Sequence, residues 1–202
     1  GLNVGSDIAL SHTIAREIIV SGIHNRAFIE NGTSGFASYQ ACVMDWTLER
    51  GEKVTGVPAA AIREMAHLYA RADRAILCWT LGITEHHNAV DNVLSLINLG
   101  LLTGHVGRYG SGLNPLRGQN NVQGGGDMGA IPNKLPGFQD IEKDADARKR
   151  FGKAWGVPII PKYGLHLTQM FDSMEHGDLR ALYVIGENPA SSEADLTRAN
   201  HL

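Results

Sequence analysis

The chain has 202 residues, 43% of them hydrophobic, and a formal net charge of -3 with histidine neutral. That length suits one large α/β domain or two small lobes with a buried core, and the near-neutral balance gives no general attraction to nucleic acid or acidic membranes. No apolar run approaches the ~20 residues that span a bilayer, and the N-terminus lacks a basic-then-apolar targeting pattern.

In chain order, Asp7 to Val20 is predicted as a helix, with Ser6 as N-cap and Ile8, Ile14, Ile18 and Ile19 as its apolar stripe. Cys42 and Cys78 stand alone, without a CxxC pair or a Cys/His cluster at metal spacing, and are expected as buried reduced thiols. A second helix is predicted from Pro58 to about Arg71, with Ile62, Met65 and Tyr69 at helical spacing. "AILCWT", Ala75 to Thr80, is short, apolar and followed by "LG", the pattern of a buried strand. Val90, Val93, Leu94, Ile97 and Leu101 form an amphipathic stripe ending before Gly104. From Gly104 to about Pro136 the chain is glycine-rich without a sustained period, and a loop of that length inside a domain is usually functional. Asp144 to Trp155 and Leu165 to His176 are predicted helices. "ALYVIG", Ala181 to Gly186, is a second predicted buried strand, and its turn "ENPASSEAD" opens a last helix with Ser192 and Asp195 spaced as a capping box. The chain lacks an initiator Met and stops inside that helix, so a central piece of a longer polypeptide is expected.

The two strand–glycine–polar–helix units, "CWTLGITEHHNAV" and "YVIGENPASSEAD", predict an α/β fold of two Rossmann-like lobes, parallel strands flanked by helices, divided as 1–118 and 119–202. Ligands of such lobes bind beyond the carboxyl ends of the strands. "GRYGSG", Gly107 to Gly112, follows a helix rather than a strand and is not a dinucleotide fingerprint. At Ser191–Ser192 a helix N-terminus faces Glu193 and Asp195, whose charge disfavours a phosphate there. His86 and His87 are adjacent and have no third ligand nearby, which argues against metal binding.

Within "GLNPLRGQNNVQGGGDMG", Gly112 to Gly129, the single cation is Arg117. Pro115 stiffens its approach, Gly118 lets backbone come near a ligand, and Gln119, Asn120, Asn121 and Gln123 offer hydrogen bonds without charge. Asp127 is the segment's only acid. A guanidinium kept free in this way suits a small carboxylate, which it grips with two parallel bonds.

"NPLRGQNNVQGGGDMG", "LGITEHHNAVDNVLSLINLGLLTGHVG" and "YVIGENPASSEAD" closely resemble the catalytic subunit of molybdenum- or tungsten-dependent formate dehydrogenases, of the dimethyl sulfoxide reductase superfamily. Related nitrate reductases lack the arginine at the position of Arg117. The resemblance implies a bis(molybdopterin guanine dinucleotide) cofactor gripped between two lobes that meet near Arg117 and Gln119. Arg117 would orient formate for oxidation to carbon dioxide. Leu81, Gly82, Thr84, Glu85 and Gln119 would line the cofactor, and Gly186, Glu187, Asn188 and Ser192 would surround a guanine-bearing end. Some relatives carry Asp where this chain has Asn188, so Glu187 is expected to supply the missing acceptor. His86–His87 would face solvent or the pterin.

The metal-holding cysteine or selenocysteine, its neighbouring histidine, the iron–sulfur motif and the C-terminal cofactor domain of such enzymes have no match in these residues. The resemblance therefore implies that they lie elsewhere in the same subunit and that the piece alone is inactive. Its wording is nearest to NAD-linked enzymes, which implies electron-transfer partner subunits of the diaphorase type and a cytoplasmic location. Two alternatives remain: a non-catalytic relative of the same fold, like the large iron–sulfur subunit of respiratory complex I, and a generic nucleotide-binding module.

Overall fold

Ser6 precedes the first helix, but its hydroxyl turns back and donates to the Asn3 carbonyl at 2.5 Å instead of capping. In this computed structural model, which describes residues 1–202, the chain divides into two units, Gly1–Gly118 and Gln119–Leu202. The first runs α1 (Asp7–Val20), α2 (Arg26–Gly32), α3 (Phe36–Val43), α4 (Leu48–Thr55), α5 (Ala59–Arg71), β1 (Ile76–Trp79), α6 (Leu81–Thr84), α7 (Ala89–Thr103) and β2 (Gly112–Pro115). Helix α1 is its hub, touching α3, α4, α5 and α7. Ala15, Ile18 and Ile19 of α1 meet Ile29, Val43, Ala66, Leu99 and Leu102 in the core. Glu17, also buried on α1, is satisfied by Arg63 Nε at 3.2 Å and by His67 Nε2 at 3.3 Å. On α5, Ile62 and Ala66 face the core while Met65 reaches solvent.

The predicted stripe of α7 lies to one side of the buried face, with Val93, Ile97 and Leu101 half-buried. Asn92, Ser95, Leu99, Leu102 and Thr103 are buried, whereas Val90 is 73% exposed and Leu94 49%. Leu99 and Leu102 on that face join the core, and one hydrogen bond crosses the seam, Ser11 Oγ on α1 donating to Ser95 O at 3.0 Å, while Ser95 Oγ donates within α7 to Asn92 O at 2.7 Å. The polar side chains of this face can be buried because each finds a hydrogen-bond partner.

Strands β1 and β2 pair in parallel, from Ile76↔Gly112 to Trp79↔Pro115, joined by the α6–α7 crossover that parallel strands require. Gly100 of α7 allows the approach of β2, since a Cβ there would stand 2.9 Å from Leu113 Cδ2. Gly104 ends α7 at φ +69°, a left-handed cap that glycine adopts without penalty. β1 alternates exposed and half-buried residues rather than being buried, because Leu77 packs against the core while Ile76 and Cys78 lie on the uncovered face. Cys78 on it and Cys42 on α3 are both exposed free thiols, contrary to expectation.

The second unit runs α8 (Val122–Asp127), β3 (Lys134–Leu135), β4 (Gln139–Asp140), α9 (Ala145–Trp155), α10 (Leu167–Glu175), α11 (Pro189–Ser192) and α12 (Leu196–His201). The stretch from Gly104 to Pro136 thus holds β2, α8 and β3 rather than one long loop. Asp144 caps α9 by accepting from Ala147 N at 2.8 Å. Few apolar residues of this unit are buried (Leu135, Ala147 and Phe171), and polar ties do much of the holding. Asp140 accepts from Tyr163 Oη at 2.9 Å, Lys134 Nζ at 3.2 Å and the Lys143 N–H at 3.0 Å. Arg198 of α12 binds Asp172 at 2.6 Å and Glu175 at 2.7 Å on α10.

Two expectations fail here. Residues 181–186 form no strand, and Tyr183 and Ile185 are 91% and 80% exposed. Apolar, β-branched composition favours a strand only where a neighbouring edge accepts its hydrogen bonds, and the sheets contain only β1–β2 and β3–β4. Ser192 and Asp195 are not a capping box: Ser192 closes α11, while Asp195 caps α12 alone by accepting from Arg198 N at 2.9 Å. The whole is a mixed, helix-dominated α/β fold with a parallel strand pair, and no helix is long and apolar enough to cross a membrane.

Candidate functional site

The carboxyl ends of β1 and β2 lie side by side, and the Leu116 N–H donates to Trp79 O at 2.7 Å just past the last register pair. Two segments therefore leave the same sheet edge together. One is the α6 turn, with Leu81, Gly82, Thr84 and Glu85; the other carries Leu116, Arg117 and Gly118. They touch, since a Cβ on Gly118 would stand 3.0 Å from Leu81 Cδ1. A side chain at 118 would have to displace the end of Leu81 by a few tenths of an ångström.

Arg117 is exposed and takes part in none of the chain's ion pairs or side-chain hydrogen bonds. Its backbone N–H and that of Gly118 have no acceptor in the chain, and neither do those of Leu81 and Gly82. One cation and four free donors at one strand edge suit a ligand rich in acceptors and negative charge. Leu81, Gly82, Thr84 and Glu85 are all exposed. Beside them a cleft of about 490 Å³ is lined by Thr80, Gly82, Ile83, His86 and Asp7, together with the first residues of the chain. His86 donates to Gly82 O at 2.9 Å and lies 4.0 Å from Asp7 Oδ2, while His87 is exposed. No group of three His, Cys, Asp or Glu side chains in the chain lies close enough to hold a metal ion.

In the second unit, Gln119 is exposed. Asn121 beyond it takes φ 57°, and its side chain lies where a Cβ on Gly124 would sit. Gly186 turns at φ +73° into a small polar knot. Ser192 Oγ donates to Glu187 Oε1 at 2.9 Å, and Asn188 Nδ2 donates to Ser191 Oγ at 2.9 Å. That knot occupies one carboxylate oxygen of Glu187 and leaves Oε2 free.

Sequence reasoning missed Asn92, which reaches from buried α7 to the α6 turn, donating to Ile83 O at 3.0 Å. No local signal marked it, because the apolar stripe of α7 drew attention to a different face.

A family model described as molybdopterin oxidoreductase matches residues 1–202. Formate dehydrogenase H of Escherichia coli K12 is 41% identical over 97% of this chain, which covers 27% of that protein. The F420-dependent formate dehydrogenase subunit alpha of Methanocaldococcus jannaschii is 39% identical over 95% of the chain, which covers 28% of it. The chain thus spans less than a third of the length of these relatives. Among solved structures, acetylene hydratase from Pelobacter acetylenicus matches with a TM-score of 0.52 and 24% identity, over 54% of this chain and 15% of that one, a likeness of fold alone. On the match of its whole length, the chain belongs to the molybdopterin oxidoreductase family.

Proposed function

We propose that these residues form the formate-orienting and cofactor-lining part of a formate dehydrogenase catalytic subunit. The observation that carries the reading is Arg117: an exposed guanidinium without an acidic mate, at the carboxyl edge of a parallel strand pair. A non-catalytic relative gains nothing from leaving that charge unpaired.

Formate has one carbon and no apolar handle, so recognition rests on its carboxylate. Arg117 holds both oxygens in one plane and so aims the C–H bond. Oxidation to carbon dioxide releases two electrons and one proton, and the neutral product loses most of its attraction to the guanidinium. When bound, a molybdopterin cofactor with molybdenum or tungsten supplies the electron-accepting centre. The chain's donors fit the organic part of such a group. The free N–H groups of Leu81, Gly82, Arg117 and Gly118 suit pterin and phosphate acceptors, with Thr84, Glu85 and Gln119 beside them in sequence. In the guanine dinucleotide form, Glu187, whose Oε2 is free, would offer an acceptor to the guanine-bearing end, with Gly186, Asn188 and Ser192 shaping the turn. The metal's protein ligand, an iron–sulfur cluster and NAD-linked partner subunits belong to the rest of a cytoplasmic enzyme, and these residues alone do not turn over formate.

Metal and pterin analysis of the full-length protein, paired with a formate-oxidation assay, tests this reading. Stoichiometric pterin with molybdenum or tungsten and formate-dependent dye reduction are expected. Absence of both would favour the non-catalytic relative.

A further inference from the structure

Two carbonyls of the α6 turn are tied down by side chains, one on α7 and one on its approach. Asn92, 2% exposed, donates from Nδ2 to Ile83 O at 3.0 Å. Its Oδ1 accepts from Asn88 Nδ2 at 3.4 Å, which fixes which end of the amide meets the carbonyl. His86 donates from Nε2 to Gly82 O at 2.9 Å, so two successive carbonyls are held. Behind Asn92 the Ser95 and Ser11 hydroxyls continue the chain of bonds through α7 to α1, both serines being buried. Within the turn, Ile83 N bonds Thr80 O at 3.0 Å and Glu85 N bonds Leu81 O at 2.8 Å. The Leu81 and Gly82 N–H groups are left without an acceptor.

We propose that Asn92, assisted by His86, is a positioning residue for the cofactor: it locks the Gly82 and Ile83 carbonyls so that the Leu81 and Gly82 amides stay available to the ligand. This rests on the function proposed above. Neither side chain touches the reacting atoms. Their effect is to spare the ligand the ordering of a four-residue turn, which would otherwise be charged against binding. A carbonyl that loses its donor also draws water or the turn's own N–H groups toward itself, competing with the ligand for them.

The test uses the full-length holoenzyme carrying Asn92→Leu, which keeps bulk and removes the donor, and Asn92→Thr, which restores a shorter one. His86→Phe keeps a ring and removes the second tie. Three quantities are read: amide hydrogen exchange across residues 81–85 and across α1, pterin released per subunit, and formate kinetics normalised to bound pterin. Loss of one such part-buried hydrogen bond shifts a local equilibrium by up to about tenfold. Asn92→Leu should therefore speed exchange in the turn by up to that factor, leave α1 protection unchanged and lower pterin occupancy, with KM for formate per loaded site unchanged. Asn92→Thr should recover part of the occupancy, and His86→Phe should loosen the same turn. Unchanged exchange at 81–85 with full pterin in Asn92→Leu would overturn the inference. Uniform loss of protection in α1 and the turn would also overturn it, making Asn92 a core residue only. Wild-type protein without pterin would instead overturn the underlying function.

Discussion

Replacing Gly100 by alanine sets two known effects against each other beside the strand that leads to Arg117. In the interior of a 15-residue helix, alanine is favoured over glycine by about 0.8–1.0 kcal/mol. The new Cβ would stand 2.9 Å from Leu113 Cδ2 and 3.4 Å from Val106 Cγ2, whereas apolar carbons rest about 3.5–4.0 Å apart. Overpacking of this kind costs about 1–3 kcal/mol. Because the nearest atom is the end of a leucine, the lower half of that range applies, and the expected net effect is a loss of about 0–1 kcal/mol. Gly125→Ala is the reference, since its Cβ meets nothing within 4 Å and it should gain about 0.5–1 kcal/mol. Urea unfolding followed by circular dichroism measures both. In the full-length enzyme whatever strain the Leu113 side chain does not relieve is passed to β2, so kcat/KM for formate should fall by roughly threefold to tenfold, within the reach of sub-ångström misplacement. If Gly100→Ala stabilises as much as Gly125→Ala and leaves the kinetics alone, the α7–β2 contact does not constrain the site.

Further expectations concern the second unit and the thiols. Hydrogen bonds from the Lys143 N–H, then from Tyr163 and Lys134, hold the Asp140 carboxyl well below the usual carboxylate range. The unfolded chain protonates this group first, near ~3.9, so its stabilisation is complete above about pH 5 and is lost progressively as pH falls through the lower folded value. Unfolding of the second unit followed against pH should show that loss, and Asp140→Asn should flatten it; an identical acid profile in the variant would remove Asp140 from the account. Cys42 and Cys78 are both exposed, so an aromatic disulfide reagent should titrate two thiols in the native chain. Slow labelling that needs denaturant would contradict the exposure of β1 and α3.

The positions of α1, α5, α7, α9 and α10 could be read from the sequence because each keeps a helical period and a recognisable start or stop. What could not be read is which side of α7 turns inward. Val90 and Leu94 have the apolar character, yet Asn92 and Ser95 turn inward, where Ser11 of α1 donates to Ser95 O and Asn92 donates to Ile83 O of the α6 turn, and no local pattern records those partners. β2 was hidden for a related reason. "GLNP" holds a glycine and a proline that count against a strand locally, and it exists by pairing with β1 more than thirty residues earlier. The same logic reversed the reading of 181–186, apolar in sequence and unpaired in the chain. Arg117 was visible because its freedom is partly a local fact: no acid stands near it in sequence, and the fold brings none to it. The Ser192–Glu187 contact was anticipated only as a shared neighbourhood, not as a bond that spends one of the carboxylate's oxygens.

The most direct test of the central claim is Arg117→Lys in the full-length enzyme, with kcat/KM for formate determined per bound pterin. A lysine keeps the charge but gives up the second parallel bond. A charge-assisted hydrogen bond contributes about 1.5–3 kcal/mol, so kcat/KM should drop by about ten- to a hundredfold at unchanged pterin and metal content. Kinetics within about twofold of the parent, beyond what loss of such a bond permits, would mean that this guanidinium does not orient formate.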